Sequence, residues 1–167
     1  MEDNIEFTHT TDWYYEGNIS SIIVDFLKNS GYKILKDNSH NPRLRGEDII
    51  AQNPNGISEV IEVKGYPSEF YTMTDKKGNP KPTKPKQQAE HWFSGVLISN
   101  MYNYRKHKKL GNFQLCLGFP DLERYRELIL KVEDYFTDFE IDTKIYFVDI
   151  NGKVRIDNLN ANHRNSR

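Results

Sequence analysis

The stretch Gly46-Glu47-Asp48-Ile49-Ile50-Ala51-Gln52-Asn53-Pro54-Asn55-Gly56-Ile57-Ser58-Glu59-Val60-Ile61-Glu62-Val63-Lys64-Gly65 reads as two short strands joined by a tight turn. Pro54 presets φ for the first central position of a type I turn, Asn55 tolerates the second, and Gly56 can take the left-handed conformation that follows. A loop of these three residues sets Asn53 opposite Ile57. Counting back along both strands then sets Asp48 opposite Glu62, and a loop one residue shorter or longer moves the pairing by only one position. Residues two apart on a strand share a face, so Glu62 and Lys64 point one way and Val63 the other. The spacing predicts one face that presents Asp48, Glu62 and Lys64 close together.

Ile49, Ile50, Val60, Ile61 and Val63 form a nearly continuous apolar run, as in strands covered on both faces. Charges set in such strands are costly to bury unless they are paired or hold a metal. Two carboxylates and a backbone carbonyl make a partial shell for Mg²⁺, which usually keeps several waters. A lysine beside it can orient an attacking water and balance charge at a phosphate. The competing reading is an Asp/Glu–Lys salt-bridge network on an exposed strand face, and the triplet alone does not choose between them.

The rest of the chain narrows the choice. Its 167 residues suit one domain with a sizeable core, expected to span 1–156. Hydrophobic residues make up 37% and charged residues 28%, as in a globular protein without membrane segments. The single cysteine, Cys116, rules out an internal disulfide framework and fits a reducing cytoplasm. It stands in the apolar run 113–117 and reads as a small core residue rather than a nucleophile. The acidic start, Met1-Glu2-Asp3-Asn4-Ile5-Glu6, lacks the apolar segment of a signal peptide. No stretch is long enough to span a membrane.

Net charge is −1, but the charge is unevenly spread. From Lys64 to Lys109 the basic residues are Lys64, Lys76, Lys77, Lys81, Lys84, Lys86, Arg105, Lys106, Lys108 and Lys109, against Glu69, Asp75 and Glu90. From 110 to 150 acids dominate. A chain that is neutral overall and basic beside its candidate site suits a phosphate-bearing partner.

In chain order, Asn18 is a good N-cap for a helix over 19–29, with Ile19, Ile22, Ile23, Phe26 and Leu27 as its apolar stripe and Gly31 at its end. Residues 32–35 read as a first strand, and the polar loop 36–45 brings Arg43 and Arg45 up to the hairpin, where they could meet phosphate or simply be solvated. Segment 66–84, rich in Lys, Pro, Gly and Thr, reads as a long irregular loop, either a flap over a bound partner or an insertion. A helix over 85–108 follows, with Thr83 as cap, Pro85 in the first turn, and Ala89, Trp92, Phe93, Val96, Leu97, Met101 and Tyr104 as the inward stripe. Gln88 could reach the metal site or a phosphate, although solvation is the usual state of a first-turn glutamine. Arg105 and Lys106 suit a helix C-terminus as well as DNA. A strand over 112–118, a helix over 121–135, a strand over 144–150, a two-residue turn at Asn151-Gly152 and a strand over 153–156 complete the chain. The polar tail 157–167 is expected to lack structure.

This order of elements, with Glu47-Asp48 on one strand and Glu62-Val63-Lys64 on the next, resembles the PD-(D/E)XK nuclease superfamily over roughly residues 18–118. Gln88 and Trp92 are similar to the glutamine-plus-aromatic helix motif of some branches. The resemblance implies an α/β, restriction-endonuclease-like αβββαβ core, a central mixed sheet flanked by helices, here with an extra C-terminal helix and β-hairpin. It also implies a Mg²⁺-dependent phosphodiesterase, with Mn²⁺ able to substitute, acting on DNA or on RNA or branched DNA. Asp48, Glu62 and the carbonyl of Val63 would hold the metal, Lys64 would position the attacking water, and Gln88 would assist. Arg43, Arg45, Lys81, Lys84, Lys86, Arg105 and Lys106 would meet the nucleic acid.

Two departures stand out. Glu47 occupies the place of the motif's proline, a common change. Many members carry a metal-binding Glu on the first helix, whereas the corresponding turn here reads Asn18-Ile19-Ser20-Ser21, with Glu16 about one turn upstream as the candidate substitute. The expected function is a DNA endonuclease of a restriction, repair or mobile-element system. The alternative is a non-catalytic nucleic-acid-binding or scaffolding module on the same fold. A homodimer is compatible with either.

Overall fold

Ile49 and Ala51 on one strand and Ile61 and Val63 on the next are fully buried on the same side of a sheet, and the sheet grows outward from this pair. The computed structural model describes residues 12–39, 46–71, 75–109 and 111–159. Within them the chain runs α1 (Glu16–Asn29), β1 (Lys33–Asp37), β2 (Ile49–Gln52), β3 (Ser58–Val63), α2 (Pro85–His107), β4 (Phe113–Pro120), α3 (Glu123–Leu130), α4 (Glu133–Asp138), β5 (Thr143–Val148) and β6 (Val154–Leu159). The six strands lie side by side in sequence order. β1, β2 and β3 form an antiparallel meander, β4 and β5 add on in parallel, and β6 returns antiparallel. This α/β architecture, a mixed sheet with helices on both faces, is consistent with the restriction-endonuclease-like core expected from the sequence.

One face packs on α1, whose Ile19, Ile23, Val24 and Leu27 meet Ile61, Val63, Cys116 and Tyr146. The other packs on α2, α3 and α4, where Phe93, Phe119, Tyr125 and Phe147 dominate. Cys116 is a buried core residue, as its apolar run implies. No helix among the described residues is long and apolar enough to cross a membrane.

The hairpin register is the one the turn chemistry predicts. Ile49 pairs with Ile61 and Gln52 with Ser58. The Asn53 N–H donates to Ile57 O and the Gly56 N–H to Asn53 O, both at 2.9 Å. Asn53 Oδ1 accepts from the N–H groups of Asn55 and Ile57, and Gly56 sits at φ +81°, where a Cβ would strain the backbone. The same device recurs at the second hairpin. Asp149 Oδ1 accepts from Asn151 and Lys153, so the loop is 150–152 and not the expected two-residue Asn151-Gly152 turn. β6 then runs on to Leu159, three residues past the expected boundary, because the Leu159 side chain is buried against the α2 face of the sheet.

Other boundaries also shift. α1 begins at Glu16 with Tyr15 as N-cap, and Asn18 lies inside the helix, its amide donating to Asp12 O. The Tyr66 N–H donates to Tyr14 O, which fixes the lead-in and lets the helix start early. Lys84, not Thr83, precedes α2, since the Thr83 carbonyl accepts from the Gln88 side chain. The single helix expected over 121–135 is two, broken at residues 131–132, with Glu133 and Asp134 opening the second where carboxylates suit a helix start. The described part of 66–84 is irregular, as expected, but one isolated bridge and a few backbone bonds pin its middle. Phe70 bridges Pro80, Tyr71 exchanges backbone bonds with Gly78 and Asn79, and the Lys81 N–H donates to Glu69 O, which makes a small antiparallel arm.

Candidate metal centre

Asp48 stands one residue before β2 and Glu62 one before the end of β3, so the register brings them together where the two strands meet the sheet's end. The Val63 N–H donates to Asp48 Oδ2 at 2.7 Å. The Asn103 amide, from α2, donates to Glu62 Oε1 at 2.7 Å. Among the described residues neither Asp48 Oδ1 nor Glu62 Oε2 accepts a hydrogen bond. Lys64 follows β3, and its Nζ lies 3.0 Å from Glu16 Oε2 on α1. The charges therefore gather at one end of the sheet rather than on one face: Glu62 is held from the α2 side, and Lys64 reaches across to α1.

Burial governs the titration here. It pushes Glu62 up to about 7, the Asp48 charge adding to the effect against the opposing Asn103 and Lys64. Burial likewise raises Asp48, although the Val63 N–H and Lys64 oppose it. It raises Glu16 too, with Lys64 the chief opposing group. For Lys64 burial disfavours the cation, but Glu16, Asp48 and Glu62 together outweigh it and its pKa rises. The site is a lysine surrounded by more negative charge than it can neutralise.

Glu47, read from sequence as a common replacement for the motif's proline, is 2% exposed and fully engaged. Lys106 Nζ lies 2.6 Å and His107 Nε2 2.7 Å from its Oε1, and Lys36 Nζ lies 3.0 Å from its Oε2. Burial opposes its charge, but these donors win and hold the carboxyl well below the usual carboxylate range. Asn38 braces the same place, its amide donating to Glu47 O and its N–H to Asp48 O. The backbone that carries Asp48 is thus fixed from β1 and from α2.

The inner edge of α2 departs from the stripe expected of it. Its buried positions are Ala89, Phe93, Val96, Asn100, Asn103 and His107, alternating steps of four and three. Hydrophobicity places Met101 and Tyr104 inward instead, and both are exposed, at 66% and 56%. Glu62 and Glu47 lie opposite that half of the helix, so donors are needed there rather than methyl groups. Extending the 89–93–96 spacing finds Asn103 and His107.

Gln88 does not join the centre. It sits 15 residues before Asn103 in the same helix, about 22 Å along the axis, too far for its side chain to touch Glu62. Its amide donates to Thr83 O, and its Oε1 faces Lys81 Nζ at 3.5 Å. Glu16 reaches the site through its ion pair with Lys64, and among the described residues it does not form a three-carboxylate group with Asp48 and Glu62, although the Asp48 charge acts on it. Lys81 is half-buried, with Ser68 and Gln88 as its contacts. Lys84, Lys86 and Arg105 are exposed, while Lys106 is held by Glu47. Arg43 and Arg45 lie outside the described residues.

The donor set can be tested against a divalent cation. Among the described residues no group of three or more His, Cys, Asp or Glu side chains could hold a metal. That excludes an all-protein cage from these residues but fits Mg²⁺, which takes one or two carboxylates and keeps water for the rest. Among the described residues each of the two carboxylates has one oxygen committed to a protein donor and one uncommitted. Both are buried, and Glu62 also bears the repulsion of Asp48, which a cation would relieve.

No protein-family model matches the chain, and no curated protein does. Among solved structures it is similar to an XisH family protein from Nostoc punctiforme PCC 73102, at 15% identity and a TM-score of 0.47, over 84% of this chain and 95% of that one. A likeness at that level carries no argument about what this chain does.

Proposed function

We propose that the protein is a metal-dependent endonuclease that hydrolyses DNA phosphodiester bonds at Asp48, Glu62 and Lys64. The observation that carries this reading is the proximity of Asp48 and Glu62, each anchored through one oxygen by a protein donor and each with its second oxygen uncommitted among the described residues, beside Lys64. A salt-bridge network would spend those oxygens on donors.

When bound, a divalent cation supplies charge neutralisation at the phosphate and an activated nucleophile. Asp48 Oδ1 and Glu62 Oε2 would hold it, with the carbonyl of Val63 as a third donor. Lys64, kept protonated by Glu16, Asp48 and Glu62, orients the attacking water and offsets the charge that grows on the phosphoryl oxygens. The Glu16 carboxylate holds the ammonium in place. Lys81, Lys84, Lys86 and Arg105 supply the long-range field that draws the polyanion.

The test is incubation of the purified chain with supercoiled plasmid, linear duplex, single-stranded and branched DNA, and RNA, in Mg²⁺, in Mn²⁺ and in EDTA. Metal-dependent cleavage of DNA is the expected result. No cleavage of any of them would overturn the reading and leave a binding or scaffolding module.

A further inference from the structure

We propose that Asn103 is a positioning residue that selects which oxygen of Glu62 is presented to the metal, an inference that rests on the metal-centre reading above. Glu62 is nearly buried, at 8% exposure, and a carboxylate in such a place can turn about its last bond unless a donor fixes it. Asn103 is itself buried and donates to Oε1 at 2.7 Å from a helix 41 residues away in sequence. An amide is the donor that suits this role. It fixes the carboxylate without cancelling its charge, whereas a lysine or arginine at the same place would compete with the cation for it. The outer partners of metal-ligating side chains act in this way, setting the orientation of the ligand and its readiness to bind.

The rest of the helix edge supports the assignment. His107, one turn on, engages Glu47, the neighbour of Asp48, so one rigid helix reaches both halves of the carboxylate pair. Asn100, one turn before, is equally buried, yet its Oδ1 has no hydrogen-bond partner among the described residues. Two asparagines of the same edge are therefore similar in burial, and Asn103 is the one with a hydrogen bond to Glu62 among the described residues.

That difference supplies the control. Mn²⁺ is titrated by calorimetry or paramagnetic resonance into metal-free wild type and into Asn103→Leu, Asn103→Gln and Asn100→Leu, at a temperature where thermal unfolding shows each to be folded. The expected result is a Kd for Mn²⁺ raised about tenfold or more in Asn103→Leu. Asn103→Gln, which keeps the amide donor, stays within a few-fold of wild type, and Asn100→Leu binds as wild type does. If Asn103→Leu does not fold, Asn103→Ala, which removes the amide without adding bulk, carries the same expectation. Equal Mn²⁺ affinity in wild type and the Asn103 variant would overturn this inference and leave the metal centre standing. An equal loss in Asn100→Leu would reassign the effect to helix packing. Absence of Mn²⁺ binding by the wild type would overturn the metal centre itself.

Discussion

Glu16 Oε2 and Lys64 Nζ lie 3.0 Å apart, joining the first turn of α1 to the end of β3 across 48 residues of sequence. The contact depends on the glycine that follows the lysine. A Cβ on Gly65 would stand 2.5 Å from Tyr14 O and 2.6 Å from the Glu16 nitrogen, so the start of α1 can approach β3 only because residue 65 has none.

Gly65→Ala must therefore move backbone. It is expected to lower stability by about 2 kcal/mol or more and to detach Glu16 from Lys64. A Cβ on Gly118 would instead meet side chains, the Ile23 Cδ1 at 2.7 Å and the Val63 Cγ2 at 3.0 Å, rather than backbone. Denaturant unfolding of the two variants checks the order. A Gly118→Ala variant less stable than Gly65→Ala would contradict it.

Two carboxyls give opposite pH signatures. Glu62 is raised to about 7 on folding, so its contribution is present below the unfolded value and is lost as pH rises through about 7. Metal-free wild type should thus lose stability relative to Glu62→Gln between about pH 5 and 8, by up to about 3 kcal/mol. Glu47 is lowered, so its contribution is present above the unfolded carboxylate value and is lost as pH falls through the folded one. Glu47→Gln should therefore flatten the acid side of the stability curve. Thermal melts in EDTA across pH check both signs.

Toward the other end of β3, three residues and about 10 Å from Glu62, Glu59 is fully buried and accepts from Tyr32, Lys144 and Tyr146, with the Cys116 thiol beside it. Glu59→Leu leaves a lysine and two hydroxyls without their acceptor, at a cost of about 3 kcal/mol. A large fall in Tm with Mn²⁺ affinity unchanged is expected. A changed affinity in folded protein would show that the two clusters are coupled.

Replacing Lys81, Lys84 and Lys86 together by Ala should weaken DNA binding and reduce the slope of log K against log salt by about 0.9 for each phosphate that is no longer neutralised. Lys106→Ala should act more on stability than on that slope, since Glu47 already holds its ammonium. Binding isotherms at several salt concentrations separate the two. Unchanged affinity in the triple variant would exclude Lys81 and the start of α2 from the interface.

Much of this is legible in the residues. Pro54-Asn55-Gly56 specifies the loop, the loop specifies the register, and the register brings Asp48 to Glu62. What escapes is partner choice between elements. Nothing local to Glu47 announces that Lys36, Lys106 and His107 will surround it, and Glu59 sits unremarked in an apolar strand because its donors come from β5 and from the residue before β1. Asn103 and His107 follow the helical spacing but not the hydrophobic pattern, and polarity hides them. The start of α1 differs from expectation because Asn18 is a better cap by type than Tyr15, while a backbone bond from Tyr66 decides the matter.

The most direct test is plasmid cleavage by wild type, Asp48→Asn and Lys64→Met side by side, in Mg²⁺ and in Mn²⁺, with folding verified for each. The account predicts metal-dependent nicking by wild type and nicking by each variant slower by about a hundredfold or more, the scale at which one aimed charge stabilises a transition state. Equal rates in all three would contradict it.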